Sequence, residues 1–179
     1  GFIGPVQGAS LVKIMNGYED GAKEVNADIK YQTAWTGSFT DTALAKEAAQ
    51  AMIDNGADVI GHCANESGTG ALNAAQDAGV FATGDSYDQS SLAEKAVLSS
   101  AVYHVPELIK TAVSDIKEGK FKGEVKELGM AEGIVELVYN EKMVEKIPAE
   151  VKKMVDETEA KIKDGSFQVP CDTKDRAGK

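Results

Sequence analysis

The chain has 179 residues, with 19 Lys and Arg against 29 Asp and Glu, so its formal net charge is −10 at pH 7. That length corresponds to about one ordinary domain and excludes a large multidomain assembly. Phosphate backbones and anionic membranes are poor partners for so acidic a chain, and we expect no nucleic-acid binding and no direct membrane binding. With 42% hydrophobic residues and no apolar run near the ~18 residues of a membrane span, the sequence predicts a folded globular chain.

In the first hundred residues, short apolar runs alternate with segments of helical periodicity. This rhythm is typical of βαβ units, which close right-handed into a parallel sheet with helices on its faces. The sequence therefore predicts an α/β fold. The strand candidates are residues 2–3, 29–35, 58–63, 80–83 and 96–102.

Helix ends are signalled by particular residues. Asp41 is placed to cap the second helix, which Asn55-Gly56 ends, and Gly79 closes a shorter helix over residues 68–78. Further on, a helix opens at Pro106 and ends at Gly119. Residues 134–138 form the one strand candidate of this later part, and a last helix begins at Pro148.

The loops at the carboxyl ends of the first four strands differ from those at the opposite edge. Ligands of open parallel sheets bind beyond the carboxyl ends, where helix N-termini also point. These loops, residues 4–8, 35–41, 62–70 and 84–89, are rich in Gly and small polar side chains. The opposite loops, residues 26–28 and 55–57, are ordinary turns. We expect a binding rim for a polar small molecule at the carboxyl edge.

Two rim features have two interpretations each. The run Ser67-Gly68-Thr69-Gly70 could cradle an anion at a helix N-terminus, or it could be an ordinary capped turn, since it lacks the Lys of a P-loop. His62 could stack on or hydrogen-bond to a ligand, or it could be structural. Because adjacent strand residues point to opposite faces, we expect no direct dyad of His62 with Cys63.

Three further features also stay open. Asp85 and Asp88 could perform acid–base chemistry, bind the hydroxyls or ring N–H groups of a ligand, or cap the following helix. Trp35 and Phe39 could belong to the core or stack on a ligand. Cys63 and Cys171 lie far apart without metal-ligand spacing, so neither a disulfide framework nor a metal site is predicted.

No segment combines a nucleophile, a base and an orienting group, so we expect a binding protein without a cofactor rather than an enzyme. Two other classes remain open: an effector-binding domain of a transcription regulator, and a small α/β enzyme acting on a sugar or nucleotide. Gly1 lies in a predicted strand and no initiator Met or signal peptide precedes it, so we expect an upstream segment.

Several motifs, in the same order along nearly the whole chain, resemble the basic membrane protein family. They are residues 1–4, 17–23, 36–41, 51–60, 68–70, 88–89 and 165–170, which read GFIG, GYEDGAK, TGSFTD, AMIDNGADVI, GTG, DQ and GSFQVP. The family comprises substrate-binding lipoproteins of nucleoside ABC importers. The resemblance implies a periplasmic-binding-protein fold of type I, similar to the ribose-binding protein, with two lobes that close around a ligand.

The family chain is about twice as long, and this sequence corresponds to its second half. The resemblance implies that residues 1–98 form the C-terminal lobe, residues 99–170 return to the N-terminal lobe, and residues 171–179 are a polar tail. It also implies a purine nucleoside, nucleobase or similar small polar solute as ligand, an ABC transporter permease as partner, and an extracytoplasmic location as an anchored lipoprotein or periplasmic protein. Apolar stripes within residues 105–165 would self-associate if no second lobe covered them.

The sequence departs from the family pattern at the rim. His62 stands where nucleoside binders commonly have Phe, Ser86 stands at a family Asp, and Tyr103 stands at a frequent Lys. With these departures, a free nucleobase or another small polar solute stands beside the intact nucleoside as a ligand, and His62 or Tyr87 could be the stacking ring. The predicted ligand-binding residues are Trp35, His62, Asn65, Ser67, Gly68, Thr69, Asp85, Ser86, Tyr87, Asp88 and Tyr103.

Overall fold

The computed structural model describes residues 1–176 and contains one six-stranded sheet. Its strands lie in the order β2-β1-β3-β4-β5-β6. All neighbouring strands are parallel except β5 and β6, which are antiparallel. The α/β fold with a largely parallel sheet is therefore confirmed. The strands are β1 (Phe2–Gly4), β2 (Thr33–Trp35), β3 (Val59–His62), β4 (Phe81–Ser86), β5 (Val97–Tyr103) and β6 (Val135–Tyr139).

Within residues 1–176, five α-helices connect or follow the strands, and their predicted ends are confirmed where local signals exist. The Asp41 carboxylate accepts hydrogen bonds from the Ala43 and Leu44 amides at 3.0 and 3.2 Å. Gly79 ends its helix with a φ of 73°. None of the helices in residues 1–176 has the length and apolar character needed to cross a membrane. The helices are α1 (Ala9–Val25), α2 (Thr42–Asp54), α3 (Gly68–Ala78), α4 (Val105–Lys117) and α5 (Ala149–Lys163).

The sheet is covered on both faces, and alternate strand residues supply the two cores. On one face, Ile3 and Ile60 pack with Leu72 and with the alanines of α2 and α3. On the other face, Phe2 packs with Met15 of α1 and with Cys63. This alternation fixes which rim side chains share a face.

The predicted lobe boundary between residues 98 and 99 falls inside β5. The backbone of this strand pairs with β4, and β6 pairs with β5, so residues 99–103 and 135–139 belong to the same sheet as the first four strands. The buried Ser100 side chain anchors β5 there by accepting a hydrogen bond from the Gln89 amide at 3.1 Å. In contrast, α4 and α5 contain no buried residue.

The start of the predicted polar tail docks on α1. The side-chain amide of Asn16 donates to the carbonyl oxygens of Asp172 and Lys174 at 3.0 and 2.9 Å. Arg176 bonds to Asp20 and Asp172. The polar composition of this segment therefore does not predict that it packs on α1. Its last residues, 177–179, lie outside the described part.

Candidate functional site

A buried carboxylate lies where β4 ends, at the carboxyl edge of the sheet. Asp85 is 7% exposed. Its Oδ1 accepts a hydrogen bond from the Tyr103 hydroxyl at 2.7 Å, and its Oδ2 accepts one from the Ser86 hydroxyl at 2.8 Å. The pairing of β4 with β5 places Asp85 opposite Ala101, so Tyr103 lies two residues further along the same face. We call Asp85, Ser86 and Tyr103 the carboxylate cluster.

The carboxylate cluster contains hydrogen-bond donors but no cation. Over residues 1–176 the recorded partners of the Asp85 carboxylate are hydroxyls rather than Lys or Arg. Burial, followed by the charge of Asp85, raises the pKa of the Tyr103 phenol, which therefore keeps its proton and donates. A buried carboxylate without a counter-ion is stabilised further by any N–H or O–H that a ligand brings.

The backbone at the cluster has an unusual conformation. Ser86 has a φ of 71°, in the left-handed region that residues other than Gly rarely adopt. Such backbone persists where the surroundings hold it, often at ligand sites. Here it ends β4 and brings the Ser86 hydroxyl to the carboxylate of its own neighbour, Asp85.

On the opposite face, His62 and Gln89 form a second buried pair. The His62 Nε2 lies 2.8 Å from the Gln89 Oε1, which also accepts from the Asp85 amide at 3.0 Å. The Ala64 amide donates to the His62 Nδ1 at 3.2 Å. His62 is 2% exposed, and burial lowers the pKa of its imidazole although the Asp85 charge opposes this. Both ring nitrogens are thus engaged inside the protein.

The loop after β3 belongs largely to the interior. The Ser67 hydroxyl donates to the Ala64 carbonyl at 2.8 Å and is fully buried, and Gly68 packs directly against the His62 ring. The Ser67 side chain does not cap α3, so the expected capped turn is not formed by this hydroxyl. Asn65 is exposed with a φ of 53°, and Thr69 is half-buried.

Cys63 and Trp35 lie on the face opposite His62, as strand alternation predicts for Cys63. Burial, then the Asp85 charge, raises the pKa of the Cys63 thiol to about 12, so the thiol is neutral at physiological pH. Trp35 packs against the core cluster of Phe2 and Cys63. Its indole nitrogen is buried without a hydrogen-bond partner among residues 1–176.

The structure thus brings together three of the predicted site residues, Asp85, Ser86 and Tyr103. Tyr87, which follows Ser86 in the chain, is 53% exposed. Asp88 is exposed, and its carboxylate accepts a hydrogen bond from the Ser90 amide at 2.9 Å.

The ligand-binding residues predicted from the sequence include neither Gln89, which was placed only in the rim loop, nor Tyr18. The Thr83 hydroxyl donates to the Tyr18 oxygen at 3.3 Å, which ties α1 to β4. The signals available were the pair Asp88-Gln89 and the position of Tyr18 in the apolar stripe of α1.

Several curated proteins are similar in sequence to this chain. Basic membrane protein A2 of Borrelia garinii subsp. bavariensis is 34% identical over 174 residues, which is 95% of this chain and 51% of that protein. A purine-binding protein of Brucella abortus is 32% identical over 93% of this chain and 46% of its own length. The ABC transporter nucleoside-binding protein BmpA of Lactococcus lactis is 32% identical over 95% of this chain and 52% of its own length. The chain spans about half the length of these relatives.

Solved structures share the fold. A protein from Bacillus halodurans, described as a transcriptional activator of the comK gene, superposes with a TM-score of 0.80 at 25% identity, over 95% of this chain and 57% of that chain. An ABC solute-binding protein from Aeropyrum pernix K1 superposes with a TM-score of 0.79 at 24% identity, over 96% of this chain and 58% of that chain. The family model of PnrA-like ABC transporter substrate-binding proteins, Bmp, matches residues 1–173. The chain therefore belongs to the Bmp family of ABC transporter substrate-binding proteins.

Proposed function

We propose that this chain supplies one wall of a solute-binding cleft and that the solute contacts the carboxylate cluster. The observation that carries the proposal is the buried Asp85, whose partners over residues 1–176 are the hydroxyls of Tyr103 and Ser86. In a substrate-binding family, a carboxylate at the carboxyl edge of the sheet provides charge-assisted hydrogen bonds to a ligand.

The surrounding charges restrict the ligand. The four rim loops contain Asp41, Glu66, Asp85 and Asp88 but no Lys or Arg. Such a rim disfavours a phosphorylated or otherwise anionic solute and favours one with several N–H or O–H donors. The relatives named for purine and nucleoside binding support a purine nucleoside or nucleobase. Tyr87, which is half exposed and follows Ser86 in the chain, would supply the ring on which such a base stacks.

The solute is held and released unchanged. His62 and Cys63 lie on opposite faces of the sheet, and the Cys63 thiol is neutral, so neither forms a nucleophile–base pair with the other. The binding chain would deliver its solute to an ABC transporter permease outside the cytoplasm. The family is one of substrate-binding proteins, which favours this role over a transcription effector domain or a small enzyme.

We assign the exposed faces of α4 and α5 to contact with a second lobe. Leu108, Ile109, Val113 and Ile116 are exposed along α4, although their spacing is that of an apolar helix face. A second lobe packed there would supply the other wall of the cleft.

The binding proposal is tested by thermal unfolding of this chain with purine nucleosides, nucleobases or free sugars, each added in millimolar excess. A ligand that binds only the folded state raises the midpoint, and at ten times its Kd it stabilises the fold by about 1.4 kcal/mol. We expect adenosine or adenine to raise the midpoint and to be recovered unaltered by chromatography. Failure of every purine to shift the midpoint, or recovery of a chemically changed purine, would contradict the proposal.

The assignment of α4 predicts self-association of the chain alone. We expect sedimentation velocity to show a dimer or larger species, and Ile109→Glu to shift it toward monomer by placing a charge in the apolar face. Val25→Glu changes an exposed apolar residue at the end of α1 in the same way and should leave the distribution unchanged. A monomeric parent chain, or equal effects of the two variants, would count against the assignment.

A further inference from the structure

His62 is held in one protonation state by its hydrogen bonds. The Ala64 amide can only donate, so the Nδ1 that it contacts at 3.2 Å must be the acceptor. The proton of the neutral ring then lies on Nε2, which donates to the Gln89 Oε1 at 2.8 Å. A second proton on Nδ1 would face the Ala64 N–H and remove this acceptor.

Gln89 transmits the position of this ring to the carboxylate cluster. The side-chain Oε1 of Gln89 accepts hydrogen bonds from the His62 ring and from the main-chain amide of Asp85. The main-chain amide of Gln89 donates to the Ser100 hydroxyl at 3.1 Å. Gln89 is 1% exposed, so these bonds form in the protein interior and connect the ends of β3 and β4 with the middle of β5. The Asp85 amide held in this way immediately precedes the left-handed Ser86.

The first turn of α3 encloses the ring and disfavours its protonation. A Cβ atom on Gly68 would lie 2.1 Å from the His62 Nδ1, so only Gly leaves space for the ring there. The backbone at this helix end carries the positive part of the helix dipole, which opposes a second proton on Nδ1.

The ring is surrounded by one charged group and by neutral groups of the elements packed against it. Asp85 of β4 contributes the one charge recorded as acting on His62 within the described residues, and it favours protonation. The neutral Gln89 and Ser100 contribute no charge, and neither does Gly68 of α3. Burial outweighs the carboxylate and lowers the pKa of the imidazole.

The geometry points to His62 as a positioning residue of the solute site: its neutral ring holds Gln89 and the Asp85 backbone in the binding conformation. A second proton, placed on Nδ1, opposes the Ala64 N–H and displaces the ring, and the displaced ring no longer holds Gln89. The ring then acts without touching the solute, and affinity is lost on acidification. This inference rests on the proposed solute-binding function, which it deepens by adding a pH dependence.

The structural part is tested without ligand by NMR of the chain between about pH 8 and about pH 5. Long-range ¹H–¹⁵N spectra should show the Nε2-protonated neutral ring near pH 8. On acidification, the Asp85 and Gln89 amide signals should move with the same midpoint as the His62 ring, below the ordinary value of about 6.5. In the His62→Asn variant, the Asp85 amide signal should no longer move over this pH range. In the control variant His104→Gln, which removes the chain's other His, the Asp85 amide signal should still move with the His62 ring. Titration of the His62 ring without movement of the Asp85 amide would overturn the inference.

The functional part uses adenosine, which is uncharged throughout this range, and calorimetry. If only the neutral ring supports binding, the apparent Kd rises about tenfold per pH unit below the midpoint. His104→Gln should keep that slope, and a flat profile in the parent chain would overturn the inference. Absence of adenosine binding at every pH would count against the nucleoside proposal, while the ligand-free spectra would still decide the role of His62.

Discussion

Replacement of Gly70 by Ala should lower the free energy of unfolding by about 3 kcal/mol, because a Cβ atom there overlaps a neighbouring helix backbone. The added atom would lie 1.9 Å from the Thr42 carbonyl oxygen and 3.0 Å from the Lys46 amide nitrogen. These are main-chain atoms of α2, so no side chain can rotate away. Either α2 and α3 must separate or the turn after β3 must shift.

Urea unfolding measures this effect, and Gly21→Ala provides the matched control. Gly21 lies within α1, and a Cβ there meets nothing within 4 Å. The same change at Gly21 should raise stability by about 0.5–1 kcal/mol through helix propensity alone. The Gly70 variant should unfold roughly 6–12 °C below the parent chain. Equal stability of the two variants would show that α2 and α3 do not approach as closely as described.

The close approach of α2 and α3 illustrates what the sequence could predict. Their ends are signalled locally, by the Asp41 side chain that caps α2 and by the left-handed Gly79 that closes α3. The alanines of both helices indicate a buried, tightly packed face. The role of Gly70 could not be predicted, because it depends on a backbone 28 positions away in sequence.

The strand predictions were reliable in order but not in extent. The second strand was predicted over residues 29–35, whereas β2 is Thr33–Trp35. The preceding residues form a turn in which the Ile29 amide donates to the Asn26 carbonyl, and the Ile29 side chain is exposed. An apolar residue beside a strand is therefore insufficient to extend it.

The candidate site was predictable as an edge of the sheet but not as a set of contacts. The carboxyl-edge rule placed Asp85 and Ser86 there. The bond from Tyr103 to Asp85 depends on the register of β4 and β5, which shifts between Ala82 and Thr83. No periodicity in the sequence encodes that shift.

Replacement of Asp85 by Asn should weaken binding of the purine that stabilises the chain by about 10- to 100-fold, the usual range for losing a charged hydrogen-bond partner. The variant keeps the size of the side chain, and its amide oxygen can still accept from Tyr103. Since the change also removes a buried charge without a counter-ion, we expect the fold to remain at least as stable as the parent. The loss should therefore appear in the Kd from calorimetry and not in the unfolding midpoint of the free chain.

Two further variants separate binding from general charge effects. Asp54→Asn makes the same chemical change at an exposed position at the end of α2, where the carboxylate accepts only from Gln50 among the recorded partners over residues 1–176. It should leave the Kd unchanged. Tyr103→Phe keeps the charge of Asp85 but removes one hydroxyl that orients it, so it should weaken binding by less than Asp85→Asn does. Equal affinity of the parent and Asp85→Asn chains would place the solute away from the carboxylate cluster, because a ligand bonded to Asp85 cannot be indifferent to its charge.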